Sequence, residues 1–408
     1  MSLFDKYASL ENRLSLVMKL IGRDPLGVKF DDIISPVRGK IGDQEIILAG
    51  SNNYLGLTFD PDCMKAAQDA VSDHGTGTTG SRVANGSYTE HVDLEAAIAE
   101  HLGMPSCIIF STGYQTNLAA IGGLTNEKDV IFMDADAHAC IIDGTRLTGA
   151  STIRFRHNSP EDLDKRLSRL GDIEGSPFVV IEGLYSMFGD IAPIGEFIDV
   201  THKHGGYLYI DEAHSYGVFG PTGCGIAEEQ GVLGKVDFIA GTFSKSLASV
   251  GGFCASKHAE FEIARKVMRP YMFTASPTPA NVAAARAAVE KIKEKPELRA
   301  NIKTRAEQLH RGLSEMQFDL CADPSPVIAV RRPNEAVAAM EWNWLLENGV
   351  YVNLAVPPGT PQSSSLLRIS LSAAHTEADV DEILARFQDL KAMQGKLMQD
   401  MAAKLAAE

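Results

Sequence analysis

The chain has 408 residues, 45% hydrophobic and 22% charged, which is ordinary for a globular enzyme and enough for a large core. Its net charge of −15 argues against a protein that binds nucleic acid or an anionic membrane through bulk electrostatics. Its six cysteines form no C-x-x-C pair, which favours reduced, buried thiols over a disulfide framework or a zinc site. We therefore expect no metal and no nucleic-acid partner.

The first predicted segment, residues 1–50, is an N-terminal arm that begins with a helical pattern of apolar and charged residues. It lacks the basic-then-apolar layout of a signal peptide. No apolar run in the sequence is long enough to span a bilayer. These features predict a cytoplasmic protein with at most peripheral membrane contact.

Residues 51–280 are predicted to form a large domain. From about Met104 to Ser256, short apolar runs alternate with helical patterns, and Ser159 and Pro160 have the types expected at an N-cap and a first helical position. Such alternation indicates an α/β fold with a mostly parallel sheet that helices cover on both faces. In such sheets ligands bind at the carboxyl ends of the strands.

Residues 281–408 are predicted to form a smaller C-terminal α+β domain. After Pro279 the sequence has the patterns of two long helices, followed by the strand-like runs "SPVIAV", "GVYVNLA" and "SLLRISLS". A final helix is predicted from Glu377 onward.

Two short motifs match unrelated functions by letters alone. "GTGTTG" at Gly75–Gly80 matches a dinucleotide-binding fingerprint, but a helical pattern precedes it and a loop follows, so we interpret it as a flexible loop. "DEAH" at Asp211–His214 matches a helicase motif, but no G-x-x-x-x-G-K-[ST] phosphate loop accompanies it. A nucleotide-dependent enzyme remains an alternative that predicts NAD or ATP binding and a colourless protein.

Lys245 stands alone among small and apolar residues in "VDFIAGTFSKSLASVGGFCA". Burial of an unpaired ammonium is costly, so a lysine held there tends to lose its proton. A neutral lysine amine is a nucleophile that forms Schiff bases with carbonyl compounds. The alternative is a side chain that reaches solvent along its aliphatic stem.

Polar residues at neighbouring strand ends suit a cofactor aldehyde. Pyridoxal phosphate needs a lysine, an acid at the pyridine nitrogen, a group stacked on its ring and donors for its phosphate. Asp211 ends the run "YLYI", His214 follows three residues later, and His138 follows "FMDADA". We predict that they contact the pyridine nitrogen, the ring hydroxyl and the ring face, respectively. A helix cap for Asp211 and a packed or capping role for His138 are the alternatives.

The phosphate is predicted to lie at the start of a helix. "STGYQTN" puts Gly113 and Tyr114 at a helix N-terminus, whose free N–H groups suit an anion. Thr242 and Ser244 add hydroxyl groups before Lys245. Ordinary turn chemistry is the alternative for these residues.

These motifs, in this order, resemble the α-oxoamine synthases, which are fold-type I pyridoxal-phosphate enzymes that join an amino acid to an acyl thioester with loss of carbon dioxide. The similarity runs from about Asn52 to Thr376. The matching stretches are "STGYQTN", "DADAH", "EGLYSMFGDIAP", "IDEAHSYGVFG", "GTFSKS", "GGF", "FTAS" and "LRISLSAAHT".

The resemblance implies a role for each matching residue. Lys245 is the implied Schiff-base lysine, Asp211 the pyridinium partner, His138 the stacking residue and His214 the contact of the ring oxygen, and these four are the implied catalytic residues. The implied phosphate-binding residues are Gly113, Tyr114, Thr242 and Ser244.

The resemblance also implies a homodimer with active sites at the subunit interface. Thr274 of "FTAS" is implied to reach the phosphate from the other subunit. Arg368 of "LLRIS" is implied to take the substrate carboxylate, with Asn52 of "SNNYLG" nearby.

The branch of the family is indicated by two differences. Ser244 precedes the lysine and Phe188 stands in the loop after the fourth strand, where branches that use glycine or alanine have Gly and Asp. These residues favour the bacterial branch that joins L-serine to a long-chain acyl thioester of coenzyme A or acyl carrier protein. Bacterial members of that branch often have an arginine where this chain has Val356.

Two alternatives stay open within the family. One is a member that uses glycine or alanine, of the 8-amino-7-oxononanoate synthase, 2-amino-3-ketobutyrate CoA ligase or 5-aminolevulinate synthase type. The other is a non-catalytic partner subunit of the same fold, which is expected to lack the lysine that this chain has at Lys245.

Overall fold

The structure is a computed structural model that describes residues 2–357, 359–360 and 364–406. Its strands are β1 Asp32–Ser35, β2 Arg38–Ile41, β3 Gln44–Leu48, β4 Ser106–Phe110, β5 Val130–Asp134, β6 Ser151–Phe155, β7 Pro177–Glu182, β8 Tyr207–Asp211, β9 Phe238–Thr242, β10 Gly252–Ser256, β11 Val327–Arg332, β12 Val350–Tyr351, β13 Asn353–Ala355 and β14 Ser365–Ser370. Its α-helices are α1 Ala8–Ile21, α2 Pro61–His74, α3 Thr89–Leu102, α4 Gly113–Leu124, α5 Ala139–Arg146, α6 Pro160–Leu167, α7 Ile194–Lys203, α8 Ile226–Glu229, α9 Arg269–Met272, α10 Pro279–Glu294, α11 Pro296–Glu315, α12 Glu335–Glu347 and α13 Glu377–Ala406.

The described residues form two compact units. The larger unit comprises residues 52–186 and 190–300, and the smaller one comprises the described parts of 1–51, 187–189 and 301–408. Residues 281–300 thus lie with the larger unit, and residues 1–50 lie with the C-terminal residues. The division at 50/51 and 280/281 stays a prediction.

The larger unit is built on a seven-stranded sheet in the order β4-β10-β9-β8-β7-β5-β6. Strands β9, β8, β7, β5 and β6 pair in parallel, and only β10 runs antiparallel to its two neighbours. The predicted mostly parallel sheet is therefore confirmed. The exception arises because residues 243–251 join β9 to β10 directly, without a crossover helix.

Each face of this sheet carries its own hydrophobic core, because successive strand residues point to opposite sides. Cys107 and Ile109 of β4 belong to a core with side chains of α3, α6, α7 and α10. Ile108 and Phe110 belong to a second core with side chains of α4, α5 and α9. The apolar strands predicted from the sequence are thus covered on both faces.

Several local predictions are confirmed in the larger unit. The Ser159 hydroxyl accepts a hydrogen bond from the Asp162 N–H at the start of α6, and Pro160 is the first helical residue. The residues of "GTGTTG" follow α2 and lie in a loop that runs to α3, so the loop interpretation holds.

The smaller unit contains two sheets, one in the order β1-β2-β3-β12 and one in the order β11-β14-β13. All six residues of β14 are buried. No helix within the described part of the chain combines the length and apolarity needed to cross a membrane. All six cysteines are free, and only Cys321 is not fully buried.

Candidate active site

A cavity of about 310 Å³ opens at the carboxyl end of the seven-stranded sheet. Asp211, Glu182 and Thr242 are the last residues of β8, β7 and β9, so parallel pairing brings them to one edge. The lining residues are Thr112, Gly113, Tyr114, Asn117, His138, Cys140, Glu182, Asp211, Ala213, His214, Gly241, Thr242, Ser244, Lys245, Val250 and Gly251.

Eight predicted site residues line this cavity, namely Gly113, Tyr114, His138, Asp211, His214, Thr242, Ser244 and Lys245. Lys245 itself is half-buried. Its positive charge adds to the lowering of the pKa of His138 and opposes the rise in the pKa of Glu182, so the ammonium group lies close enough to influence both. The cavity location favours the functional interpretation of Lys245 over a side chain that simply extends into solvent.

Asp211 is buried and its carboxylate is held from two sides. Its Oδ1 accepts the Ala213 N–H at 2.9 Å, and its Oδ2 accepts the side-chain amide of Asn117 at 2.6 Å. Asp211 is not a helix N-cap, because turns and not a helix follow β8 up to α8. A buried, oriented carboxylate of this kind suits a protonated pyridine nitrogen.

His138 is both a cap and a cavity residue, so the two interpretations of it are compatible. It is the N-cap of α5, where its Nδ1 accepts the Cys140 N–H at 3.2 Å. Its own backbone N–H donates to Glu182 Oε1 at 2.7 Å. Burial lowers the pKa of His138, and the negative charge of Asp211 opposes that shift.

Glu182 is a buried carboxyl group at the cavity wall that the sequence analysis missed. Burial raises its pKa to about 8, and the charge of neighbouring Asp211 adds to the shift. The His138 N–H and the charge of Lys245 act in the opposite direction. The signal was present in the sequence, because Glu182 ends the apolar run "PFVVI" as Asp211 ends "YLYI".

His214 is buried and is linked to Asn52 through one tyrosine. The Tyr54 hydroxyl lies 2.7 Å from His214 Nδ1 and donates to Asn52 Oδ1 at 3.3 Å. Asn52 does not line the cavity, but Tyr54 connects it to a residue that does. Tyr54 was also missed, and its single hydroxyl within "SNNYLG" gave no signal beyond ordinary core packing.

The predicted phosphate end lies at the N-terminus of α4. Helix α4 begins at Gly113, and Thr112 is its N-cap. A Cβ atom on Gly113 would come within 2.5 Å of Thr242 Oγ1, so only glycine allows the two to meet here. The hydroxyls of Thr242 and Ser244 lie 2.8 Å apart at the same place. The Tyr114 hydroxyl donates to Asp143.

The other two predicted site residues lie elsewhere. Thr274 is half-buried in the segment after α9 and does not line the cavity of its own chain. Arg368 belongs to the smaller unit, where it is 5% exposed on β14 and donates to Ser370 Oγ at 2.6 Å. The roles predicted for Thr274 and Arg368 stay predictions.

A second polar cluster at the same sheet edge is held together by ion pairs of His157 with two aspartates. The two ring nitrogens of His157 lie 2.8 Å from Asp134 Oδ1 and 2.9 Å from Asp190 Oδ2. The Tyr185 hydroxyl donates to Asp134 Oδ2 at 2.8 Å. Burial disfavours the charged imidazole, but the hydrogen bonds to both carboxylates outweigh it and raise the pKa of His157 to about 10.

The cavity residues fit pyridoxal phosphate. Lys245, Asp211 and His138 line a single cavity, and the start of α4 contributes N–H groups beside the Thr242 and Ser244 hydroxyls. These are the amine, acid, ring contact and phosphate donors that the cofactor requires. Among the residues that the structure describes, no cluster of His, Cys, Asp and Glu is arranged to hold a metal ion.

Comparison with known proteins identifies the family. Residues 44–387 match the family described as aminotransferase class I and II. The chain belongs to this family. It is 48% identical over 395 residues to a serine palmitoyltransferase of Caulobacter vibrioides, covering 97% of this chain and 98% of that one. It is 45% identical over 367 residues to the serine palmitoyltransferase of Sphingomonas paucimobilis, covering 90% and 87%.

The solved structures agree with the sequence relatives. A serine palmitoyltransferase from S. paucimobilis with bound PLP–myriocin aldimine superposes with a TM-score of 0.95 at 42% identity, covering 97% of this chain and all of that one. The predicted fold-type I architecture and the predicted family resemblance are both confirmed.

Proposed function

We propose that the protein is a pyridoxal-phosphate-dependent acyltransferase of the serine palmitoyltransferase type. It condenses L-serine with a long-chain acyl thioester of coenzyme A or acyl carrier protein, and releases carbon dioxide and the thiol. The product is 3-ketodihydrosphingosine, so the reaction is the first step of sphingolipid synthesis. The observation that carries this proposal is the 48% identity, over nearly both full lengths, to a relative named for this activity.

The cavity residues divide the chemistry among them. When bound, pyridoxal phosphate supplies an electron sink that allows a bond at the serine Cα to break. Lys245 Nζ takes the Cα proton and acts as general base. The Asp211 carboxylate holds a proton on the pyridine nitrogen, and Asn117 fixes that carboxylate in place through the 2.6 Å hydrogen bond.

The substrate carboxylate requires a fixed cation, because its orientation decides which Cα bond breaks. We assign this role to Arg368, whose planar guanidinium can form two parallel hydrogen bonds with a carboxylate. His138 contributes an N–H group from the cavity, in addition to its ring contact with the cofactor. His214 contacts the ring oxygen, and Asn52 contributes to substrate binding.

The assembly and location belong to the same proposal. We propose a cytoplasmic homodimer with at most peripheral membrane contact, in which Thr274 of each subunit completes the phosphate site of the other. Sedimentation should give a dimer, and dilution to monomer should release cofactor. An active monomer would contradict the assignment of Thr274.

The test is the amino-acid preference of the purified protein. With palmitoyl-CoA as acyl donor, turnover with L-serine should be well above turnover with glycine or alanine. Absorption spectra recorded as each amino acid is added report binding independently of turnover. A clear preference for glycine or alanine would move the protein to another branch of the family.

A further inference from the structure

One chain of hydrogen bonds links Asp211 to His138 along the cavity wall. Asn117, on the second turn of α4, donates from Nδ2 to Asp211 Oδ2 at 2.6 Å and to Cys140 Sγ at 3.0 Å. Cys140 Sγ lies 2.8 Å from His138 Nδ1. The Tyr209 hydroxyl donates to Asn117 Oδ1 at 2.7 Å. Asn117 thus uses both amide hydrogens and its oxygen within this network.

The direction of each bond follows from the chemistry of the groups. A carboxylate can only accept, so the Asn117 atom that faces Asp211 is the amide nitrogen. Oδ1 then accepts from Tyr209, which is fully buried and whose pKa burial raises well above its usual value, so its hydroxyl keeps its proton. The Cys140 sulfur accepts the second amide hydrogen of Asn117.

The thiol hydrogen of Cys140 is therefore left to donate to His138. Burial raises the pKa of Cys140 far above its usual range, so the sulfur retains this hydrogen. The Cys140 backbone N–H also points to His138 Nδ1. A nitrogen that accepts from two donors carries no proton, so the ring proton of a neutral His138 lies on Nε2.

We propose that Asn117 and Cys140 are positioning residues that orient Asp211 and fix His138 as the Nε2–H tautomer. Asn117 orients the Asp211 carboxylate toward the pyridine nitrogen. Through the Cys140 thiol, it also fixes the Nε2–H group of His138. The role of that Nε2–H, donation to the carboxylate of the bound amino acid, depends on the proposed function. The tautomer itself does not depend on it.

The first test is nitrogen-15 NMR of the holoprotein labelled at histidine, with the His138 signals assigned by their loss in His138→Gln. The wild type should show a neutral ring protonated at Nε2. Cys140→Ala should weaken this preference, because only the backbone N–H then donates to Nδ1, and Cys140→Ser should restore it, because a hydroxyl also donates to Nδ1. A wild-type ring protonated at Nδ1 would overturn the proposal, whatever the substrate proves to be.

The second test separates positioning from general stability. Cys140→Ala should raise the KM for serine about two- to tenfold, the effect of one neutral hydrogen bond, and Cys140→Ser should recover it. The matched control is Cys254→Ala, which removes another fully buried thiol from the same core. Equal KM changes in both alanine variants, or a KM that Cys140→Ser does not restore, would show that Cys140 is only a packing residue.

Asn117→Ala completes the test from the other end of the network. It should weaken cofactor retention, measured by ultrafiltration, because Asp211 loses its side-chain donor. It should also change the His138 NMR signals, which lie on the far side of Cys140. Unchanged His138 signals in a folded Asn117→Ala variant would show that Asn117 does not influence the His138 ring through Cys140.

Discussion

Two histidines at the carboxyl edge of the seven-stranded sheet have pKa values shifted in opposite directions. Burial lowers the pKa of His138, whereas two hydrogen-bonded carboxylates raise the pKa of His157 to about 10. A carboxylate lies near each of them. At His157, Asp134 and Asp190 contact the ring nitrogens, but at His138 Glu182 contacts only the backbone N–H.

The difference shows that one sheet edge holds two histidines in opposite electrostatic surroundings. In the cluster of His157, Asp134, Asp190 and Tyr185, the raised pKa favours a protonated ring that is hydrogen-bonded to both carboxylates. In the cavity, neutral donors face the ring of His138, and burial lowers the pKa of the imidazole. We therefore expect substitutions in the cavity to change activity and substitutions in the His157 cluster to change stability.

Lys245→Ala should produce the largest effect and only on activity. Loss of the general base lowers turnover about a hundred- to ten-thousandfold. Thermal unfolding of the cofactor-free protein should change little, because Lys245 is only half-buried. Borohydride reduction of the wild type should attach the cofactor to the peptide that contains Lys245.

The matched control is Lys266→Ala, which removes an exposed lysine from the same unit. It should leave turnover unchanged. Label on a peptide without Lys245, or an active Lys245→Ala variant, would show that the cavity does not contain the reactive lysine.

His157→Gln should produce the converse result. It leaves the buried Asp134 and the partly exposed Asp190 without their cation, and the loss of one partner from a buried pair typically costs about 3–5 kcal/mol. The loss should appear as a lower denaturation midpoint at pH 6. Because the folded pKa of about 10 exceeds the usual value, the stabilisation by His157 is complete below about pH 6.5 and disappears as the pH rises through 10. The two proteins should therefore converge at high pH.

The control for this substitution is His74→Gln, at a partly exposed histidine 2.8 Å from Glu90. An exposed pair of this kind contributes about 0–1 kcal/mol. A His157→Gln protein as stable as the control would remove the contrast between the two histidines.

The sequence was sufficient for the sheet and for most of the cavity. Apolar runs that alternate with helical patterns identified the parallel strands, and Asp211, His138 and Lys245 stood out because each follows or interrupts such a run. Glu182 carried the same signal and was missed. Asn117 carried a weaker sequence signal, because asparagine is unfavourable inside a helix.

Other features depend on pairings that no local pattern encodes. The bond from Asn117 to Asp211 joins residues on α4 and β8, and the ion pairs of His157 join the ends of β5 and β6 to the loop after β7. The His138–Cys140 contact is local in sequence. It is significant only because Asn117 reaches the same sulfur.

Arg368→Ala tests whether the cavity alone recognises the amino acid. If Arg368 holds the carboxylate, serine binding should weaken by about 1.5–3 kcal/mol, or on the order of ten- to a hundredfold. Arg368→Lys should recover only part, because a lysine cannot bind both carboxylate oxygens in one plane. A serine titration followed by the cofactor absorption measures the dissociation constant.

The control is Arg386→Ala, which removes a partly exposed arginine from the same unit. Wild-type serine binding in Arg368→Ala would assign the carboxylate to the cavity residues, with His138 as the first candidate. Weaker cofactor binding with an unchanged dissociation constant for serine would also contradict the role assigned to Arg368.

Glu182→Gln should give the smallest effect at low pH and sharpen the comparison most directly. A glutamine oxygen can still accept the His138 N–H, so below about pH 4.5, where Glu182 is neutral, the two proteins should differ by about 1 kcal/mol or less. The folded pKa of about 8 lies above the usual value of 4.5, so Glu182 costs the wild type stability progressively between these limits. Glutamine does not titrate, and the stability of Glu182→Gln relative to the wild type should therefore rise over that range and level off above pH 8.

Denaturation midpoints at pH 4.5, 6.5 and 8.5 measure the trend, with Glu229→Gln as a control at an exposed glutamate that also accepts a backbone N–H. A difference independent of pH would mean that the folded protein does not raise the pKa of Glu182, so that the His138 N–H and the charge of Lys245 offset its burial.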